Sequence, residues 1–245
     1  IPINSLFISN VGGQSYQFVT KDSYTMILDS NDDYVAFDVE LFQGQYITNS
    51  FVHIENEAVI IPNKKIDTST LSVLSNENGT LNVFDLATSI SELTEGNNFY
   101  FLSENYLQQY QIEFGRNVIG YEPPTDSVIT LTYINTEDNH ANGARNFIPG
   151  TTIAGYGNIQ VTTVQPAFGG ADREDTESIR FLAPKTYQAQ DRALTSSDYS
   201  ILIKRQFPFV RSLKVWGGED NEPQQYGSVF ASIITEESDF LTRAV

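Results

Sequence analysis

The sequence predicts an α+β protein that is mainly β: a strand-rich sandwich or barrel-like domain over residues 1–165, followed by a small α+β unit over residues 166–245. Three observations lead there. Short alternating apolar runs separated by Gly and Asn turns fill the first two-thirds of the chain. Aromatic residues are abundant, with 16 Phe and 13 Tyr, although charged residues make up only 18%; flat rings pack well on pleated, half-buried surfaces. Helical spacing with capping residues appears only after Gly169-Gly170. A chain of 245 residues buries roughly three-quarters of the surface it would expose unfolded, and its length suits one large β domain or two domains that share an interface.

The expected strands follow in order. Leu6–Ser9 and Tyr16–Thr20 flank Val11-Gly12-Gly13-Gln14, whose glycines supply the positive φ of a tight hairpin. Val35–Leu41 alternates, with Val35, Phe37, Val39 and Leu41 on one face and Ala36, Asp38 and Glu40 on the other. Leu71–Ser75 and Thr80–Phe84 are joined through Asn76-Glu77-Asn78-Gly79, a strong turn signal. Phe99–Leu102, Gln111–Phe114, Val128–Ile134 and Ile159–Val164 complete the set. Phe114-Gly115 through Gly120 reads as a strand entering a tight turn, and Asn117 is expected to take a positive φ there, being the best non-glycine residue for the left-handed region.

Beyond Gly169-Gly170 the pattern changes. Asp172, Glu174, Asp175 and Glu177 precede a helix expected over Ile179–Ala183, where negative charge complements the N-terminus; Pro184 is expected to stop it. A second helix is expected to start at Thr195-Ser196-Ser197-Asp198, a capping box with Asp in place of Glu. It runs through Tyr199, Leu202, Ile203 and Phe207 to Pro208. A strand pair follows, Val210–Trp216 and Ser228–Ile234. The chain opens on Ile-Pro and ends on Ala244-Val245 just past the acidic Glu236-Glu237-Ser238-Asp239, so the sequence is expected to be a piece of something longer.

Composition narrows the function classes. The formal charge is −17, from 31 acids and 14 bases. Such a chain repels nucleic acid and anionic membranes, because binding either requires Lys and Arg to displace counterions. There are no cysteines, which removes thiolate metal sites, disulfides and Cys nucleophiles. No apolar run reaches the length of a membrane-spanning helix. His53 sits in an alternating run and His140 in a loop, neither with a ligand at helical spacing, and the acids 172–177 lack the order of a calcium loop. No nucleophile elbow, Walker or dinucleotide spacing occurs. The expectation is no catalytic residue, no metal and no cofactor. On an acidic chain, Lys204 and Arg205 of the second helix, with Arg211 and Lys214 nearby, form a candidate interface for acidic neighbours. Trp216, the only tryptophan, is either a core anchor or an interface residue.

Several stretches, in one order across most of the chain, resemble the baseplate J-like family. Within it they are similar to the wedge subunits that form the inner ring of the baseplate in T-even-like contractile phages. They begin with Tyr16-Gln17-Phe18-Val19-Thr20, Ile60-Ile61-Pro62-Asn63 and Ile66–Val73. They continue through Ile112–Gly120, Pro123-Pro124, Val128–Ile134 and Ala141-Asn142-Gly143. The last group comprises Gly169-Gly170-Ala171-Asp172, Ile179-Arg180, Ala183-Pro184, Gln190–Thr195, Asp198-Tyr199, Val215–Glu219, Pro223 and Tyr226-Gly227. The family usually shows Asp-Gly where this chain has Arg116-Asn117. The resemblance implies assembly rather than catalysis: a structural protein of the tail baseplate in the virion, made in the host bacterial cytoplasm. Its expected partners are itself, in dimer and ring contacts, and other wedge and hub proteins, with no nucleic acid and no membrane. It also implies a part in the baseplate switch that triggers sheath contraction. Similar subunits occur in R-type pyocins and type VI secretion baseplates. The alternatives are a carbohydrate-binding or adhesin-like tail module, which needs exposed aromatic platforms, and an enzyme that degrades envelope polysaccharide, which needs a cleft with close carboxylates.

Overall fold

The computed structural model describes residues 1–30, 32–87, 97–116, 120–189, 192–207 and 210–235. The chain forms two compact units. The first comprises Ile1–Glu137 and Asn146–Thr162, the second Asp138–Arg145 and Thr163–Val245.

The first unit begins with a hairpin of β1 (Leu6–Val11) and β2 (Gln14–Thr20). Gly12 and Gly13 both take positive φ, 58° and 84°, the combination a two-residue type I′ turn requires. A short ribbon of β3 (Ile27–Leu28) and β4 (Tyr34–Val35) follows. Next come β5 (Leu41–Gln43), paired with β2, and, late in the chain, β13 (Ile148–Pro149), paired with β1. The result is a four-stranded sheet in the order β13-β1-β2-β5.

The larger sheet contains β6 (Gln45–Val52), β7 (Val59–Ile60), β8 (Ile66–Glu77), β9 (Thr80–Leu86), β10 (Phe99–Glu104), β11 (Tyr110–Phe114) and β12 (Val128–Asn135). Its order is β6-β12-β8-β9-β10-β11-β7. All but the parallel β9–β10 pair are antiparallel. One core explains the curvature. Val59 of β7 and Phe51 of β6, from opposite edges, pack into the same cluster as Val73, Phe84, Ile112 and Leu131. Strands at the two ends can share an interior only if the sheet wraps, so it forms a nearly closed barrel. The β8–β9 hairpin turns at Asn78 (φ 52°) and Gly79 (φ 94°), and the Asn76 carboxamide accepts from the Gly79 N–H at 2.9 Å. The register of β12 on β8 shifts between Thr132 and Ile134. The buried Thr70 hydroxyl accepts the Ile134 N–H at 2.9 Å, so the bulge leaves no orphaned donor there.

Glu77, at the end of β8, joins this hairpin to the chain beyond β11. It accepts hydrogen bonds from Tyr121 Oη at 2.6 Å, Ser75 Oγ at 2.7 Å and Asn82 Nδ2 at 2.9 Å. Burial acts to raise the Glu77 pKa, but the bonds from Tyr121, Ser75 and Asn82 outweigh it and hold the carboxyl below its ordinary value. The Tyr121 phenol is pushed up to about 12 by its bond to Glu77, then by burial and by the carboxylate charge. A group whose folded pKa is raised stabilises the fold below its unfolded value and loses that contribution as pH climbs through the folded value. Tyr121→Phe is therefore expected to flatten part of the stability loss between about pH 10 and about pH 12. Chemical denaturation across that range checks it; an unchanged alkaline slope contradicts it. Burial also raises Tyr46, Tyr100 and Tyr133, so part of the slope remains in the variant.

The second unit holds α1 (Thr176–Ala189), α2 (Ser196–Gln206), β14 (Val210–Gly217) and β15 (Val229–Thr235). The expected capping box is present: Thr195 Oγ1 accepts the Asp198 N–H at 3.2 Å and Asp198 Oδ2 accepts the Thr195 N–H at 2.9 Å. These backbone bonds also hold the Asp198 carboxyl below its ordinary pKa. Thr195→Ala is expected to cost about 1 kcal/mol, measured as a lower urea midpoint, with Thr195→Ser restoring it. Helix α2 packs against α1 and β14, burying Ile201. Loop 138–145 is tied to 167–170 by four hydrogen bonds. Gly143 N–H donates to Ala167 O (2.7 Å), Ala167 N–H to Ala144 O (2.9 Å), Asn142 Nδ2 to Gly170 O (2.8 Å) and Gly170 N–H to Asn142 Oδ1 (3.0 Å).

Three expectations fail locally. Helix α1 does not stop at Pro184 but runs through it to Ala189. The donor that proline lacks would have met the carbonyl of Arg180, an exposed residue whose carbonyl water can satisfy. Val35–Leu41 is not one strand. Asp38 has φ 52°, which breaks the pleat, and the Glu40 N–H is taken by Tyr24 Oη at 3.0 Å. Phe37 is left 65% exposed instead of in a packed face. Ile159–Val164 forms no strand and joins no sheet, with Val164 89% exposed; alternation without a neighbouring edge makes no ladder.

Candidate assembly interface

The basic residues singled out from sequence lie on adjoining parts of the second unit. Lys204 and Arg205 occupy the last turn of α2, where positive charge complements the helix dipole, and both are exposed. Arg205 also lines an open groove of about 560 Å³ whose other walls are Glu174, Ile179, Leu182, Ala183, Thr186 and Tyr187. Helix α1 supplies most of that lining, and its side chains Phe181 and Tyr187 remain exposed. Lys185 Nζ sits 3.4 Å from the centroid of the Phe181 ring, a cation–π pair that keeps the ammonium over α1. Arg180 pairs with Glu177 at 2.5 Å, one turn earlier.

Beyond α2, Arg211 and Lys214 are exposed on β14. Arg211 falls where the β14–β15 register shifts, between Val210 and Ser212. Lys214 and Trp216 share one face of the strand, with the Lys214 Nζ 5.9 Å from the Trp216 ring. Trp216 is half-buried. Its Nε1 donates to Asn221 Oδ1 at 2.8 Å and its ring stacks on Phe230 with centroids 6.0 Å apart. The hydrogen bond and the stack fix the ring.

Of the three turn positions, Gly115 and Gly120 are both buried. Gly120 has φ 84°, and a Cβ there would lie 3.6 Å from the Gly115 Cα and 3.3 Å from the Asn97 carbonyl oxygen. Asn117, expected at positive φ, lies outside the described residues.

A second surface was not apparent from the sequence. On the outward face of the large sheet, the cross-strand row Val52–Val128–Asn76–Leu81 runs beside Ser50–Thr130–Leu74–Val83. These eight positions carry no charge. Val52, Leu81 and Val83 are each more than half exposed. The adjoining hydroxyls face one another in pairs, Ser50 with Thr130 at 3.3 Å and Thr48 with Thr132 at 3.2 Å. An uncharged face with exposed aliphatic side chains is what an interaction surface presents.

Two further clusters of titratable groups lie among the described residues. His53 is 1% exposed, and its Nε2 lies 3.6 Å from Glu122 Oε1, within ion-pair range but too far for a hydrogen bond. Neither ring nitrogen has a hydrogen-bond partner, and the ring meets Phe114 edge-on at 5.3 Å. Glu122 Oε1 instead accepts the Asn56 N–H at 2.6 Å. In the second unit Asp138, His140 and Asp172 place their ligating atoms within 4.8 Å of one another. Sequence spacing separates these residues; the hydrogen-bonded clamp between Asn142 and Gly170 brings them together. Two carboxylates and an imidazole could hold a divalent cation.

Residues 195–245 match the family model of C-terminal domain I of the baseplate structural protein gp6. A relative, the baseplate wedge protein gp6 of Enterobacteria phage T4, is 28% identical over 215 residues, covering 78% of this chain and 32% of its own length. The chain therefore spans about a third of that relative. The matched domain contains α2, β14 and β15, together with Lys204, Arg205, Arg211, Lys214 and Trp216. Domain model and relative agree: the chain is similar to a baseplate wedge protein, over its last 51 residues by the domain model and over most of its length by the relative.

Proposed function

We propose that the chain is a structural segment of the baseplate wedge in a contractile phage tail, where it associates with copies of itself and with other wedge and hub proteins to form the ring around the hub. The observation that carries this reading is the 28% identity, across 78% of the chain, to a protein named for that position. Two surfaces support it. The uncharged outward face of the large sheet and the exposed basic residues of α2 and β14 are accessible, as burial in a larger assembly requires. A ring requires each protomer to present two self-associating surfaces or one head-to-tail pair. Rigid cores joined at their faces then allow the baseplate switch to proceed by rigid-body rearrangement rather than by unfolding. The role is mechanical and not catalytic.

Removing the chain from the phage genome tests this. Tails assembled without it are expected to lack hexagonal baseplates and to regain them when it is supplied in trans. Intact baseplates that contract normally in its absence would overturn the proposal.

A further inference from the structure

The start of α1 accounts for the acids that precede it, with one exception. Glu174 Oε1 accepts from Ser178 Oγ at 2.6 Å, Asp175 Oδ1 accepts the Ser178 N–H at 2.7 Å, and Glu177 pairs with Arg180 at 2.5 Å. Asp172 takes no part in these contacts. It lies four residues before Thr176, where α1 begins, beyond the single turn over which a helix dipole acts. Its carboxylate instead meets the Asp138 carboxylate and the His140 imidazole, each residue offering one ligating atom within 4.8 Å of the other two. The donor set is therefore mixed, two oxygens and a nitrogen, and all three residues belong to the second unit.

The backbone holds these donors in place. Asn142, two residues after His140, and Gly170, two residues before Asp172, exchange hydrogen bonds at 2.8 and 3.0 Å. The Asn142 N–H also donates to Asn139 O at 3.0 Å, which curls the loop that carries Asp138 and His140. Gly170 packs so closely on that loop that a Cβ would overlap Asp138 O and lie 3.1 Å from Asn139 Cα. The two ligand-bearing segments thus touch through their main chains, and only side-chain rotation remains to be set. His140 and Asp172 are exposed and Asp138 is half-buried, so the cluster is open to ions from solvent. A chain with a formal charge of −17 concentrates cations at its surface.

We propose that Asp138, His140 and Asp172 bind one divalent transition-metal ion of the zinc class. Carboxylate oxygen and imidazole nitrogen bind such an ion at about 2.0–2.2 Å, which places neighbouring donors roughly 3–3.5 Å apart around it. Small rotations of these side chains reach that spacing from the one observed. The imidazole selects the class of ion: calcium and magnesium take oxygen ligands, whereas a ring nitrogen suits zinc and its neighbours. Three protein donors leave the remaining coordination to water. The ion staples the 138–140 loop to the approach to α1, adding to the Asn142–Gly170 clamp a link that depends on metal supply. The inference is independent of the baseplate reading, and neither falls with the other.

Isothermal titration calorimetry on the full chain, first freed of metal with a chelator, tests the proposal. One Zn²⁺ per chain is expected, with Ca²⁺ at least about tenfold weaker. His140→Gln and Asp172→Asn are each expected to weaken Zn²⁺ at least about tenfold, and Asn142→Ala, which opens the clamp without removing a donor, by about tenfold. Circular dichroism matching wild type is expected for the two exposed ligand positions. A second readout needs only the wild-type fold. The chain has two histidines, so its proton spectrum holds two sets of imidazole resonances. Zn²⁺ is expected to shift the set that is missing from His140→Gln and to leave that of the buried His53 in place. No stoichiometric Zn²⁺ binding, full binding by either ligand variant, Ca²⁺ as tight as Zn²⁺, or an unshifted His140 would each overturn the site.

Discussion

Gly44→Ala is expected to lower the stability of the strand-rich unit by at least about 3 kcal/mol, near the upper end of single-substitution effects. Gly44 lies between β5 of the small sheet and β6 of the large one, so the chain passes through it from one sheet to the other. Its φ is 126°, a conformation that side chains rarely adopt. A Cβ there would lie 2.2 Å from the Asn135 carbonyl oxygen and 2.7 Å from Ile134 Cγ2. That oxygen is backbone at the end of β12, which is paired on both sides, so it cannot move aside cheaply. Gly12→Ala is the control. Gly12 also has positive φ, 58°, but nothing lies within 4 Å of its Cβ position, so only the conformational cost of about 1 kcal/mol applies. Urea unfolding of both variants separates overlap from strain. Equal losses at the two sites would show that the close approach to Asn135 carries no energy.

Leu131→Ala is expected to cost about 2–5 kcal/mol. Leu131 is fully buried on β12, opposite Asn49 on one side and Val73 on the other, in the middle of the core cluster. Removing its isobutyl group loses the transfer energy and leaves a cavity that surrounding rings such as Phe84 and Tyr133 fill only in part. Val83→Ala, on the outward face of the same sheet and 59% exposed, should change unfolding by no more than about 0.5 kcal/mol. The contrast assigns the inward row to stability. A large stability loss at Val83, or none at Leu131, contradicts that assignment.

What could be read in the sequence was set by local physics. Gly12-Gly13 and Asn78-Gly79 mark turns because positive φ is costly for most other residues. Thr195 and Asp198 mark the start of α2 because a capping box lies within four consecutive residues. Strands of the large sheet, such as Val128–Asn135, declare themselves by alternation against a shared core. Failures occurred where a non-local partner decided the outcome. The pattern at Val35–Leu41 gives no sign that the Tyr24 hydroxyl takes a ladder donor. Pro184 is different: it is tolerated within α1 because the Arg180 carbonyl that it leaves without a donor belongs to an exposed residue and can be met by water. Asp138, His140 and Asp172 meet only through the Asn142–Gly170 clamp, to which no spacing rule applies. At the candidate interface, the basic character of Lys204, Arg205, Arg211 and Lys214 was legible, because charge is a property of the residues themselves. The groove that Arg205 shares with α1 was not, because it arises from the packing of two helices.

The central claim is that outward surfaces, built on two rigid cores, perform this protein's task within a tail baseplate. Electron cryomicroscopy of intact tails tests it most directly. The account predicts density for the wrapped seven-stranded sheet and the α1–α2 pair within the hexagonal plate, with both units touching neighbouring subunits. Density for this fold in a fibre, in the tube or outside the plate would contradict it.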